Sequence, residues 1–212
     1  MITVEQARAC YVEADSAHGF DHVLRVLRLA ERIGRVEGVD LQVLRAAVLL
    51  HDVGRPDEVR TGACHARVSA RRAREILAAS PRDRVERVAQ AIGEHRFRGA
   101  ARPSSAEGRV LFDADKLDAI GAIGVARAYA VAGAQQQHLW APVEEGYRLR
   151  RPEGGPGDRE NGAHTPVHEY LGKLVTLRGQ LYTEEGRRIA EHRHQFMTAF
   201  FEELAKEVQG SL

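Results

Sequence analysis

The chain has 212 residues, enough for one substantial core, and a globule of that size buries roughly 70% of its unfolded surface. Hydrophobic residues make up 43% and charged residues 29%, which excludes a disordered, charge-dominated chain. Lys+Arg 31 against Asp+Glu 30 leaves a net charge of +1, so no global field draws the chain to nucleic acid or to an anionic membrane.

No apolar run approaches the ~20 residues of a transmembrane helix. The start, MITVEQARACYVEAD, lacks a basic segment followed by an apolar stretch, so no signal peptide is expected. Cys10 and Cys64 form neither a CxxC pair nor a disulfide framework. A cytoplasmic globular protein is the expectation, with no membrane partner. Aromatic residues are only 6%, which favours helix over sheet.

Helical periodicity runs along the chain, with no convincing alternation of period two. A first helix is predicted at about 3–15 and a second at about 19–37. The second carries His22, Val26, Leu29 and Ile33 on one face and stops at Gly38. Asp40 caps a third, whose face is Leu44, Ala47, Val48 and His51, before Gly54 and Pro56 break the pattern. A fourth covers about 64–79 and a fifth about 82–96, with Val85, Val88, Ile92 and His95 in one stripe. Residues 97–108 read as a loop, and a sixth helix runs from Val110 through Asp115 towards 131. Residues 141–166, with four prolines and five glycines, form a long irregular excursion. Two last helices are expected at about 167–181 and 184–208. No linker separates two cores, so the expectation is a single all-α domain over 1–212.

Some of these apolar stripes contain groups foreign to a core. His22, His51 and His95 sit in stripes, Asp52 follows the run AAVLL, and Asp115 lies one turn after Leu111. Burying a carboxylate costs several kcal/mol unless it is paired or bound to a metal. Two such Asp and several His, supplied by separate helices, are most simply reconciled by a shared cation. Imidazole and carboxylate without thiolate suit Mn, Fe, Mg, Co, Ni or Zn rather than a structural cysteine-zinc site. Each His taken singly reads equally as a hydrogen-bonded core residue.

The segments HGFDHVLRV, AAVLLHDVGR and LFDADKLDAIGAIG together resemble the HD superfamily of metal-dependent phosphohydrolases, over about 18–131. The tail HEYLGKLVTLRGQLYTEEGRRIAEHRHQFMTAFFEEL is similar to a bacterial subgroup that includes nucleoside triphosphate pyrophosphohydrolases. The resemblance implies a helical bundle and a metal set of His22, His51, Asp52 and Asp115, and it selects His22 over His18. It also implies that His65 and His95 fill the two extra slots of a dinuclear centre, so one or two divalent ions are expected. His65 begins its helix only about fourteen residues past His51, so the intervening loop must fold back sharply.

A cation lowers the pKa of water towards neutrality and neutralises phosphoryl charge. Arg25, Arg55 and Lys116 are candidates for phosphate contact, each readable also as a surface ion pair. Asp118 is a candidate general acid/base or an orienter of a ligating His. The substrate expected is a small phosphate compound, in the first place a nucleotide, and no organic cofactor is indicated. An alternative of another class is a non-catalytic metal- or nucleotide-binding signalling module. Nucleic-acid binding through Arg67, Arg71, Arg72 and Arg74 is disfavoured, because Glu75, Asp83, Glu86 and Glu94 interleave and no helix-turn-helix or zinc signature accompanies them. Homo-oligomerisation is left open.

Overall fold

The computed structural model describes residues 1–11, 19–96, 102–143 and 164–211. Every regular element among them is helical: α1 (Val4–Arg8), α2 (Phe20–Glu37), α3 (Leu41–Leu50), α4 (Arg55–Thr61), α5 (His65–Ile76), α6 (Arg82–Glu94), α7 (Ala106–Leu117), α8 (Gly121–Ala134), α9 (Pro166–Gly172), a 3-10 helix (Leu174–Gln180) and α10 (Glu184–Val208). The all-α expectation holds. No single helix among the described residues is long and apolar enough to cross a membrane.

The chain divides into two compact units, Met1–Leu117 with Leu181–Gly186, and Asp118–Gln180 with Arg187–Leu212. In the first unit α3 is the central helix. Val43, Leu44, Ala46, Ala47, Val48, Leu49 and Leu50 are all buried, and only a narrow face with Gln42 and Arg45 is exposed. It packs on α2, α6 and α7. Asp40 starts it by accepting from the amides of Gln42 and Val43, which satisfies two orphan donors of the first turn. Arg87 of α6 then bridges Asp40 at 3.2 Å and the buried Glu107 of α7 at 2.6 Å. These contacts fix the start of the central helix at Asp40, and His51 and Asp52 stand at its other end.

Asp113 of α7 holds the chain where it returns to this unit. Its fully buried carboxylate accepts from the amide of Tyr182 and from both the amide and the hydroxyl of Thr183, at 2.6–3.1 Å. These are the residues just before α10, so one carboxylate satisfies donors at the helix start. The second unit is built on aromatic contacts. Tyr170 stacks on Phe201 at 4.2 Å, and Tyr129 meets Phe200 edge-on at 6.0 Å.

Five expected elements differ. The first helix ends at Arg8 rather than 15, and 12–18, with His18, lie outside the described residues. The stretch at Gly54 and Pro56 is not a simple break: it forms α4, because proline is tolerated in a helix's first turn, where its missing N–H is no loss. The helix expected to run from Val110 to 131 stops at Leu117 and restarts at Gly121. Gly121 has φ +76°, and a Cβ there would lie 3.0 Å from the Arg193 side chain, so the break depends on glycine. The helix expected over 167–181 is split, α9 giving way to 3-10 geometry in which Thr176 bonds back to the Lys173 carbonyl through its amide and its hydroxyl. The expected loop yields its last residues to α7, whose first turn Ser105 caps at the Gly108 amide, and residues 97–101 lie outside the described residues. So does most of the expected excursion, 144–163.

Asp113→Ala should lower stability by about 3 kcal/mol, because it strands buried main-chain donors and a hydroxyl. Urea unfolding followed by circular dichroism measures it.

Candidate metal centre

Five elements deliver polar side chains to one buried point of the first unit. His22 comes from the second residue past the start of α2 and is 1% exposed. His51 caps α3 and Asp52 follows it, at 0% and 2% exposure. His65 is the first residue of α5, His95 caps α6, and Asp115 lies in the last turn of α7.

Asp52 is the hub. Its Oδ2 stands 3.8 Å from His22 Nε2 and 3.6 Å from His51 Nε2. Its Oδ1 stands 3.8 Å from both His65 Nε2 and His95 Nε2. Asp115 Oδ1 lies 3.4 Å from His22 Nε2. The ligand atoms of His22, His51 and Asp52 lie within 4.8 Å of one another, and so do those of Asp52, His65 and His95. Each group could hold a metal ion, and Asp52 is common to both.

The donors suit a cation. Buried Asp52 Oδ1 and His51 Nε2 have no hydrogen-bond partner, a costly condition that metal ligation relieves. Donors about 2.1 Å from a shared ion stand roughly 3.0–3.4 Å apart when adjacent, so separations of 3.4–3.8 Å need only small side-chain adjustments.

Hydrogen bonding fixes which ring nitrogen faces inward. His51 Nδ1 meets the Val48 carbonyl at 2.7 Å, and His95 Nδ1 meets the Ile92 carbonyl at 2.5 Å. A carbonyl only accepts, so each Nδ1 carries a proton, and Nε2 is the nitrogen turned towards Asp52. His65 Nδ1 instead meets the Glu58 carboxylate at 2.7 Å, with the same result. Burial pushes the His51 and His65 imidazoles down to about 4, which leaves both neutral at pH 7, as a ligand must be. Burial opposes ionisation of Asp52 and Asp115, but the surrounding histidines with Arg55 and Lys116 outweigh it and hold both well below the usual carboxylate range.

The loop between His51 and His65 does fold back. The Gly54 amide donates to Ser69 Oγ at 2.9 Å, and Arg72 of α5 donates to the Val53 carbonyl at 2.9 Å while pairing with Asp57 at 2.7 Å. A Cβ on Gly54 would sit 2.8 Å from the His65 carbonyl oxygen and the Ser69 amide nitrogen. Only glycine allows this approach, and Gly62 at φ +72° completes the return.

Of the charged candidates, Arg55 Nε donates to Asp52 Oδ2 at 2.6 Å, and Lys116 Nζ contacts Asp115 Oδ2 at 2.5 Å. Arg25 pairs with Asp21, one turn earlier on α2. Asp118 belongs to the second unit, where it is buried and accepts from Arg127 at 3.1 Å. Sequence reasoning missed Glu58, Ser69, Arg72, Arg96 and Tyr11. The Tyr11 hydroxyl donates to the Leu49 carbonyl at 3.0 Å, two residues before His51, and burial followed by Asp52 raises its pKa well above 10. A polar group contacting the element that ends in His-Asp is the signal, and it is tertiary.

Comparison with known proteins places this geometry. The HD domain family model matches residues 19–120. YpgQ of Bacillus subtilis (strain 168) is 34% identical over 205 residues, covering 93% of this chain and 88% of that protein. A crystal structure of YpgQ in complex with ADP superposes with a TM-score of 0.72 at 28% identity, over 98% of this chain and 99% of that one. A Lactobacillus plantarum protein gives a TM-score of 0.76 at 28% identity over 100% of both chains. An HD-superfamily hydrolase from Bacillus thuringiensis gives 0.71 at 25% identity, over 97% and 96%.

Two outcomes follow from the geometry. Gly54→Ala should cost about 2–3 kcal/mol in urea unfolding, because the clash is with main chain that no rotamer relieves. Unfolded His titrates near 6.5 but His51 and His65 stay neutral to about 4, so below pH 6.5 the unfolded chain binds more protons. Stability of the metal-stripped protein should therefore fall between pH 6.5 and pH 4, by about 2 kcal/mol or more, in unfolding titrations at stepped pH.

Proposed function

The chain belongs to the HD-domain family, and on that premise we propose that it is a metal-dependent phosphohydrolase acting on the phosphoester or phosphoanhydride bonds of nucleotides. The observation that carries this reading is Asp52, whose two oxygens each face two imidazole Nε2 atoms inside a buried pocket. That donor set suits Mn, Fe, Mg, Co, Ni or Zn, bound by His22, His51, Asp52 and Asp115, with a second ion taken by His65 and His95 across Asp52. Such an ion supplies Lewis acidity, bringing water towards neutral pKa and offsetting charge on phosphoryl oxygens.

The chain's own residues supply positioning and charge, which phosphoryl transfer needs more than covalent chemistry. Arg55 already rests on Asp52 Oδ2, the oxygen that also faces His22 and His51, and Lys116 on Asp115 Oδ2, with Arg55 about a third exposed. Both cations are proposed to contact a phosphoryl group bound at the centre. Arg25 and Asp118 keep the proposed roles of phosphate contact and proton transfer, shared with their present partners Asp21 and Arg127. The ADP complex of YpgQ supports a nucleotide over other phosphate compounds.

Purified protein with Mn²⁺ should release phosphate or pyrophosphate from nucleotides, and chelation should abolish release. Asp52→Ala should lower kcat about 10³-fold, the effect of several kcal/mol of lost charge stabilisation. Wild-type turnover in that variant overturns the mechanism. Nucleotide binding without turnover under every divalent ion named would instead establish a non-catalytic module.

A further inference from the structure

The imidazoles of the Asp52–His65–His95 group are not secured alike. His95 is anchored by a carbonyl three residues back in its own helix, as His51 is in the first group. That anchor exists whenever the helix does. His65 opens α5 and has no preceding helical turn to supply one. Its Nδ1 borrows the carboxylate of Glu58 from α4, a separate seven-residue helix.

Glu58 is itself held from the other side. Its Oε2 takes His65, and its Oε1 takes Arg96 Nη2 at 3.2 Å. Arg96 directly follows His95. A continuous strut, His95–Arg96–Glu58–His65, therefore joins the two imidazoles that face Asp52 Oδ1.

Charge makes this strut matter. The His22–His51 side has two carboxylates, Asp52 and Asp115, and pairs the start of α2 with the end of α3, whose dipoles oppose each other at a cation. The His65–His95 side shares only Asp52, and its helix ends, the start of α5 and the end of α6, match those of the first group and so do not make up the missing carboxylate. A carboxylate accepting from Nδ1 raises the basicity of the opposite nitrogen and restores some of that deficit.

We propose that Glu58, braced by Arg96, is a positioning residue that sets whether the Asp52–His65–His95 group takes up a second divalent ion. This rests on the metal reading of the proposed function. The first group depends on no part of the strut, so the two affinities separate.

The test is Mn²⁺ binding to the full chain after chelator treatment, by calorimetry with electron paramagnetic resonance as a second readout. The wild type should bind two ions, the second giving an exchange-coupled Mn–Mn signal. Glu58→Ala should leave the tight site unchanged and weaken the second about 10–100-fold, so that the coupled signal is lost at concentrations saturating the wild type. Glu58→Gln keeps an acceptor for Nδ1–H without the charge, and should restore part of the second affinity. Two ions bound with wild-type affinity by both variants overturn the strut while leaving the proposed function intact. Equal loss of both sites in both variants overturns it too, as mere support of the fold. A wild type that binds one ion overturns the dinuclear reading first and this inference with it, and the wild-type titration alone makes that distinction.

Discussion

The candidate centre of the first unit is arranged around a buried carboxylate. Asp52 is 2% exposed, and an ionised carboxylate in such a place costs several kcal/mol if left uncompensated. Arg55 compensates one oxygen. The other faces two imidazoles beyond hydrogen-bond reach, a condition that packing alone does not justify. The apolar central helix, the glycine that lets α5 close on the turn, and the carbonyl anchors on His51 and His95 all keep Asp52 in that position.

This explains which parts were legible in the sequence. The ligating candidates stood out because His22, His51, Asp52, His95 and Asp115 interrupt apolar stripes, and an interruption in a stripe is a local signal. The start of α3 at Asp40 and the end of α2 at Gly38 were legible for the same reason, since caps are written in one or two residues. The groups that orient the site were not. Glu58, Arg72 and Arg96 look like ordinary surface charges, and only the return of the chain at Gly54 brings them to His65, Val53 and Glu58. Asp113 was overlooked beside Asp115, although it is the more deeply buried of the two. Two positions apart on a helix, they point in different directions, and periodicity cannot say which face meets the returning chain.

The misread helix boundaries share a cause. Pro56 was read as a breaker when its position in the first turn of α4 makes it harmless. Gly121 was read as one more residue in an apolar helix when its positive φ lies at the start of a new helix, after α7 has stopped at Leu117. In each case composition was correct and register was not, because the outcome depends on whether one amide or one Cβ has room.

Charge balance ties the proposed chemistry to this packing. Asp52 and Asp115 carry two negative charges, and Arg55 and Lys116, resting on them, carry two positive ones. These four charges cancel. A divalent ion brings an excess of about two positive charges into a low-dielectric site, where like charges are costly. Arg55 and Lys116 are the groups that can relieve it, by turning from the carboxylates towards an incoming anion. A phosphate group supplies about two negative charges and restores neutrality. On the proposed function, metal and phosphate therefore favour each other's binding through these two side chains, and by linkage the preference is mutual. A site built this way binds a phosphate weakly until the ion is present, which keeps Arg55 and Lys116 paired within the fold the rest of the time.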